Sequence, residues 1–119
     1  MPIRELEYPP SNPALLQHPE EKYLIFYSSR IDGKLWCPDC VAIENKVQEI
    51  FGGESNSAVV VYVGQKAEYR DPANPFRGEP WNISSIPTII RLQDGKEDGR
   101  LEERDLRDLD RLLPFVGTR

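Results

Sequence analysis

The chain has 119 residues, a formal net charge of −5 and 39% apolar residues, enough for one hydrophobic core in a single domain spanning 1–119. The acidic balance argues against nucleic acid as a partner, because phosphate binding needs a basic patch, and no run approaches the roughly 18 apolar residues of a membrane span. The N-terminus, Met1-Pro-Ile-Arg-Glu-Leu-Glu7, lacks the apolar segment of a secretory signal; the expected location is cytoplasmic, where thiols stay reduced and a close cysteine pair is usually catalytic or metal-binding.

In chain order, Ile3, Leu6 and Tyr8 suit a short edge strand or an extended arm. Pro9, Pro10 and Pro13 break any long element, and Ser11-Asn12 suits the cap of a short helix from 14 to 16. His18, the single histidine, reads as a surface residue without a role. Residues 23–29 open with Tyr-Leu-Ile-Phe-Tyr, the near-continuous apolar run of a central strand covered on both faces. Asp32-Gly33 signals a turn. From 41 to 51, Ile43, Val47, Ile50 and Phe51 continue a helical stripe that begins at Cys37 and Cys40, and Gly52-Gly53 ends it.

Ala58-Val-Val-Val-Tyr-Val63 is the clearest strand, and its helical connection to 23–29 favours a parallel βαβ unit. Residues 64–85 form a long Pro-rich connection, with Phe76 and Trp81 as expected anchors; it is either a functional loop or a cover for a core edge. Another strand is expected at 87–92, with Pro87 tolerated at its first residue. Asp94-Gly95 turns the chain, and a hairpin loop to Asp98-Gly99 leads into a last strand near 100–103. Leu106, Leu109 and Leu113 give helical spacing in a solvated, charged frame, with Pro114 as the expected stop.

The chemistry-bearing stretch is Trp36-Cys37-Pro38-Asp39-Cys40, which holds both cysteines of the chain. Disulfide exchange needs a thiolate nucleophile and a second thiol to resolve the mixed disulfide. A helix N-terminus carries partial positive charge that stabilises a thiolate, and the CxxC spacing keeps the partner sulfur within reach. Cys37, at the loop–helix junction, is the expected exposed attacker, and Cys40, one turn on, the buried resolver. Pro38 suits the first helical position. Asp39 raises the Cys37 pKa by repulsion and is a candidate proton acceptor for Cys40. A structural zinc site wants four ligands, which two cysteines and one histidine supply only across a dimer; a structural disulfide closing so short a loop stabilises little. No metal is assigned.

Trp36-Cys37-Pro38-Asp39-Cys40 resembles the active-site motif of the thioredoxin-related 14-kilodalton protein family, the thioredoxin domain-containing protein 17-like branch of the thioredoxins. Gly64-Gln-Lys66, Tyr69, Asp71-Pro72, Asn74 and Phe76-Arg77 are similar to that family's segment after the central strand. Ile86-Pro87-Thr88 resembles the thioredoxin-type loop whose cis proline faces the dithiol. The resemblance covers most of the chain from Tyr23 onward.

It implies an α/β thioredoxin-like fold: a central mixed sheet with helices on both faces. It also implies a cytosolic reductase of cystine, selected protein disulfides, and nitrosylated or persulfidated thiols, with Cys37 as nucleophile and Cys40 as resolving thiol. Trp36, Ile86 and Pro87 would shape the substrate-binding surface, with the Ile86 backbone pairing an extended substrate. No cofactor is bound; electrons arrive from NADPH through thioredoxin reductase, and the protein is expected to be a monomer. Ordinary thioredoxin has Cys-Gly-Pro-Cys and a buried acid on the strand before it. The spacers here are Pro38 and Asp39, and the run 23–29 holds no acid, so a selective reductase is expected. The rival reading is a non-catalytic thioredoxin-like binding module with a redox-sensitive dithiol.

Overall fold

The computed structural model describes residues 3–8, 22–52 and 58–117; the expected cap at Ser11-Asn12 and His18 fall outside them. The first strand, β1 (Ile3–Leu6), is followed by β2 (Tyr23–Tyr27), a small hairpin of β3 (Arg30–Ile31) and β4 (Lys34–Leu35), and the helix α1 (Pro38–Phe51). After β5 (Ala58–Tyr62) and the short α2 (Lys66–Arg70) come β6 (Thr88–Gln93), β7 (Lys96–Leu101), α3 (Glu103–Leu106), a 3-10 turn at Leu109–Arg111 and α4 (Leu112–Gly117). The five main strands form one mixed sheet in the order β1-β5-β2-β6-β7. β1 and β2 both run parallel to β5, whereas β6 runs antiparallel to β2 and β7 to β6.

The apolar runs lie where two-sided burial needs them. Every residue of β2 and β5 is buried, because β2 sits centrally and both faces of the sheet are covered. Alternation along β2 sends Tyr23 towards α1 and α4, and Phe26 to the opposite face. The Tyr23 ring packs on Phe51 at 5.0 Å and on Phe115 at 6.4 Å, and its hydroxyl donates to the Val116 carbonyl at 3.1 Å. Phe26 meets Phe76 at 5.5 Å and Trp81 at 6.2 Å. The 64–85 connection therefore covers the second face of the core. Its anchors Phe76, Trp81 and Ile83 are buried, and buried Asn74 ties the loop to β5 and α2 by donating to the carbonyls of Val63 and Glu68, each at 3.0 Å.

Three expectations about elements are corrected. The last strand begins at Lys96, not near 100, because Asp94 (φ 53) and Gly95 (φ 80) alone make the hairpin turn, a two-residue connection with both residues left-handed. Asp98-Gly99 is instead inside the strand: Gly99 pairs Arg91 and Glu97 pairs Leu92, leaving Asp98 as the extra residue of a bulge. Asp32 (φ 52) and Gly33 (φ 83) make the same kind of turn, closing the β3–β4 hairpin where only a turn was expected. Pro114 does not stop the final helix but lies within α4, in its first turn, where a missing N–H leaves no bond unmade.

Candidate active site

The dithiol lies where β2 ends, α1 begins and the loop before β6 returns. Cys37 is the N-cap of α1, in extended conformation (φ −90, ψ 117), and Pro38 takes the first helical position. The Cys37 carbonyl accepts the N–H groups of Cys40 and Val41, each at 3.1 Å. Its own N–H donates to Ser28 Oγ at 3.1 Å, a fully buried hydroxyl one residue past β2. The Ile86–Pro87 peptide is cis, as the family resemblance implies, and the Ile86 carbonyl oxygen stands 3.9 Å from Cys37 Sγ. Pro87 is buried, and Thr88 Oγ1 fixes the loop by donating to the Ser85 carbonyl at 2.7 Å.

The two sulfurs have opposite electrostatics. The Cys37 pKa is lowered to about 6. The largest cause is a hydrogen bond from the Cys40 thiol; the backbone N–H groups of Cys40 and Asp39 help, while burial and the Asp39 carboxylate oppose. At neutral pH Cys37 is mostly thiolate, the reactive form. The Cys40 pKa is pushed far up, first by its hydrogen bond to Cys37 and then by burial, with Ser28 partly offsetting both. Cys40 is wholly buried and Cys37 is 7% exposed. The expected order of exposure is thus present, but Cys37 is less open than expected, since the Ile86–Pro87 loop closes over its sulfur.

Trp36 is half-buried on the rim of the site. Its Nε1 donates to the Gly64 carbonyl at 2.9 Å, its ring lies 6.0 Å from Tyr69, and Lys66 Nζ sits 5.7 Å above it. Arg77 in turn stacks over Tyr69 at 4.5 Å. Gly64 has φ +101, and a Cβ there would come within 2.9 Å of Glu68 Cβ, so this meeting of β5, α2 and Trp36 requires glycine. The 64–85 connection therefore both covers the core and shapes the rim.

Asp39 is exposed and faces a small pocket of about 100 Å³ beside Pro87, walled also by Ala42, Glu103 and Arg107. Arg107 pairs with Glu103, placing a basic group near the Asp39 carboxylate. Among the described residues no group of three or more His, Cys, Asp or Glu side chains is placed to hold a metal.

The structure thus gathers Cys37, Cys40, Pro38, Trp36, Ile86 and Pro87 at one point, with Asp39 on the outer flank. Sequence reasoning missed Ser28, which followed the apolar run without any motif of its own. It also missed Lys66 and Tyr69 as neighbours of Trp36, since long-range ring contacts leave no local periodicity.

A family model described as the thioredoxin domain of thioredoxin domain-containing protein 17-like proteins matches residues 7–117. Thioredoxin-like protein Clot of Oryza sativa subsp. japonica is 32% identical over 106 residues, covering 82% of this chain and 76% of that protein. Human thioredoxin domain-containing protein 17 is 34% identical over 82 residues, 66% of each. Among solved structures, a thioredoxin of Schistosoma mansoni superposes with a TM-score of 0.57 at 18% identity, covering 92% of this chain and 91% of the other, which establishes the thioredoxin-like fold. No helix among the described residues is long and apolar enough to cross a membrane.

Proposed function

Because this chain belongs to the thioredoxin domain-containing protein 17-like thioredoxin family, we propose that it is a dithiol–disulfide oxidoreductase acting as a selective disulfide reductase. The observation that carries this reading is the asymmetric sulfur pair: Cys37 as a stabilised thiolate at the start of α1, and Cys40 as the buried thiol that donates to it.

The Cys37 thiolate attacks one sulfur of a substrate disulfide, forming a mixed disulfide and releasing the other sulfur as a thiolate. Cys40 then loses its proton and attacks Cys37 Sγ. The Cys37–Cys40 bond forms, and the second substrate sulfur leaves with its electron pair. Two electrons and two protons restore the dithiol; the proposed source is NADPH through thioredoxin reductase, with no cofactor bound to this chain. A substrate laid along the Ile86–Pro87 loop would meet Cys37 at one end of β6, with Trp36, Lys66 and Tyr69 as the opposite wall. Cystine and selected protein disulfides in the cytoplasm are the proposed substrates, and the crowded, 7% exposed Cys37 supports selectivity over general reduction.

The test is NADPH oxidation coupled through thioredoxin reductase, with cystine and insulin offered separately. Turnover of cystine with little on insulin is expected. Absence of turnover on both, while reduced and oxidised forms differ in partner affinity, would instead identify a binding module.

A further inference from the structure

On the inner side of the dithiol lies a polar pocket of about 220 Å³, lined by Glu5, Tyr27, Arg30, Glu44 and Tyr62. Cys40 is not in its wall, but the pocket lies along the flank of α1 that Cys40 begins, and the Cys40 charge acts on the Tyr27 hydroxyl. Glu44 and Val47, which line it, stand one and two turns after Cys40 on the same flank of α1, whereas Asp39 and Ala42 line the pocket beside Pro87. Tyr27 ends β2 and is 2% exposed. Its hydroxyl has no hydrogen-bond partner among the described residues, alone in this among their buried side-chain nitrogen and oxygen atoms. An unpaired buried hydroxyl is costly and asks for a reason. The pocket has room for several waters and offers them polar partners.

The reason follows from what Cys40 must do. Before attack its proton is shared with the Cys37 thiolate. Once Cys37 is bound in a mixed disulfide, that acceptor is gone, and Cys40 must give up its proton inside the protein. β2 carries no carboxylate there. Its last residue is Tyr27, whose ionisation is opposed first by burial and next by the charges of Cys40 and Glu44, so it is a neutral phenol able to receive one proton while passing on another.

We propose that Tyr27 and Glu44 carry the Cys40 proton to solvent during the resolving step, through water in this pocket. The proposal rests on the reductase reading above. Cys40 gives its proton to the Tyr27 oxygen, directly or through water, as the hydroxyl proton moves on to the Glu44 carboxylate. The Cys40 electron pair forms the bond to Cys37 Sγ, and the substrate sulfur leaves with the pair of the broken bond. Glu44, whose side chain is 33% exposed, then releases the proton to bulk water.

The other titratable groups here are placed to hold the path rather than to end it. Arg30, from β3, pairs with Glu44 and donates to the Tyr62 hydroxyl at 3.3 Å. Tyr62, from β5, donates to Glu5 of β1. Cys37 and, from α2, Tyr69 face Cys40 from the outer side. Asp39 lines the pocket beside Pro87 instead.

Tyr27→Phe and Glu44→Gln test the relay. In a single turnover with 5,5′-dithiobis(2-nitrobenzoate), attack by Cys37 releases a first equivalent of coloured thiolate and resolution by Cys40 a second. In both variants the first phase is expected within about twofold of wild type and the second slowed by about fivefold or more at pH 7. The slowing should shrink towards pH 9 as hydroxide takes over the proton, a dependence that a merely structural defect would not show. Tyr27→Phe removes an unpaired hydroxyl, so its unfolding midpoint should not fall. A second phase within twofold of wild type in both variants from pH 6 to 9 overturns the relay alone, as does slowing confined to Asp39→Asn. A wild-type protein that releases no first equivalent overturns the reductase reading and the relay with it.

Discussion

The outer and inner sides of the dithiol differ more than three residues of sequence suggest. Outside, Cys37 meets the Ile86 carbonyl, Pro87 and the Trp36–Lys66–Tyr69 rim, and keeps a low pKa. Inside, Cys40 meets Ser28, Tyr27 and the strand core, and its pKa is driven the other way. The helix N-terminus acts on both sulfurs, so it cannot by itself distinguish them. Burial and one shared proton do: Cys40 donates, Cys37 accepts, and each shift reinforces the other.

The largest effect is expected at the outer sulfur. Cys37→Ser should lower disulfide turnover by about 10³-fold or more, as loss of a nucleophile does. Cys40→Ser should still attack and then accumulate mixed disulfide, seen by mass spectrometry; trapping by Cys37→Ser instead would reverse the assigned roles.

The scaffold should separate from the site. Phe76→Ala empties a fully buried ring position against Phe26 and should cost about 3–5 kcal/mol in a urea titration. The alkylation pKa of Cys37 should stay near its wild-type value, because Phe76 lies on the opposite face of the sheet from α1. A large shift in that pKa would mean the two faces are coupled.

The shared proton can be removed directly. Cys40→Ala deletes the largest cause of the low Cys37 pKa and should move the midpoint of its alkylation profile from about 6 towards the ordinary cysteine value of about 8.5. An unmoved midpoint would assign the shift to the helix N-terminus instead.

The same depression sets a pH dependence of stability. The unfolded thiol binds its proton up to about pH 8.5, whereas folded Cys37 has released it above about 6. The unfolded state therefore holds more protons between these values, and this contribution to stability rises with pH across the window. It is lost as pH falls through about 6. The reduced wild type should gain more stability from pH 6 to 8.5 than Cys37→Ser does; parallel curves would contradict it. The smallest effect is expected of Asp39→Asn, which removes an opposing charge and should lower the Cys37 midpoint by less than about one unit.

Much of the site was legible because its determinants are local. Cys37 and Cys40 fall at a helix start, Pro38 fits the first helical position, and the run 23–27 could only be a two-sided buried strand. The Ile86–Pro87 loop was legible through family resemblance alone, since nothing near it in sequence says that it faces a sulfur. The bulge at Asp98 was not legible, because a strand's register is chosen by its partner. Nor was the double use of 64–85, since Phe76 and Trp81 are read as anchors from composition but their target, Phe26, is fifty residues away.

The dithiol stretch shows the division most clearly. The order Trp36-Cys37-Pro38-Asp39-Cys40 by itself determined that two thiols would share the first turn of a helix, because capping and spacing are properties of neighbours in the chain. The chain order also gave the expected attacker and resolver, but how far each sulfur is buried and what stands behind it were decided by packing. Ser28 and the Ile86 carbonyl reach the sulfurs only after β2, α1 and the loop before β6 have come together, and burial with the Cys40–Cys37 hydrogen bond sets the electrostatics.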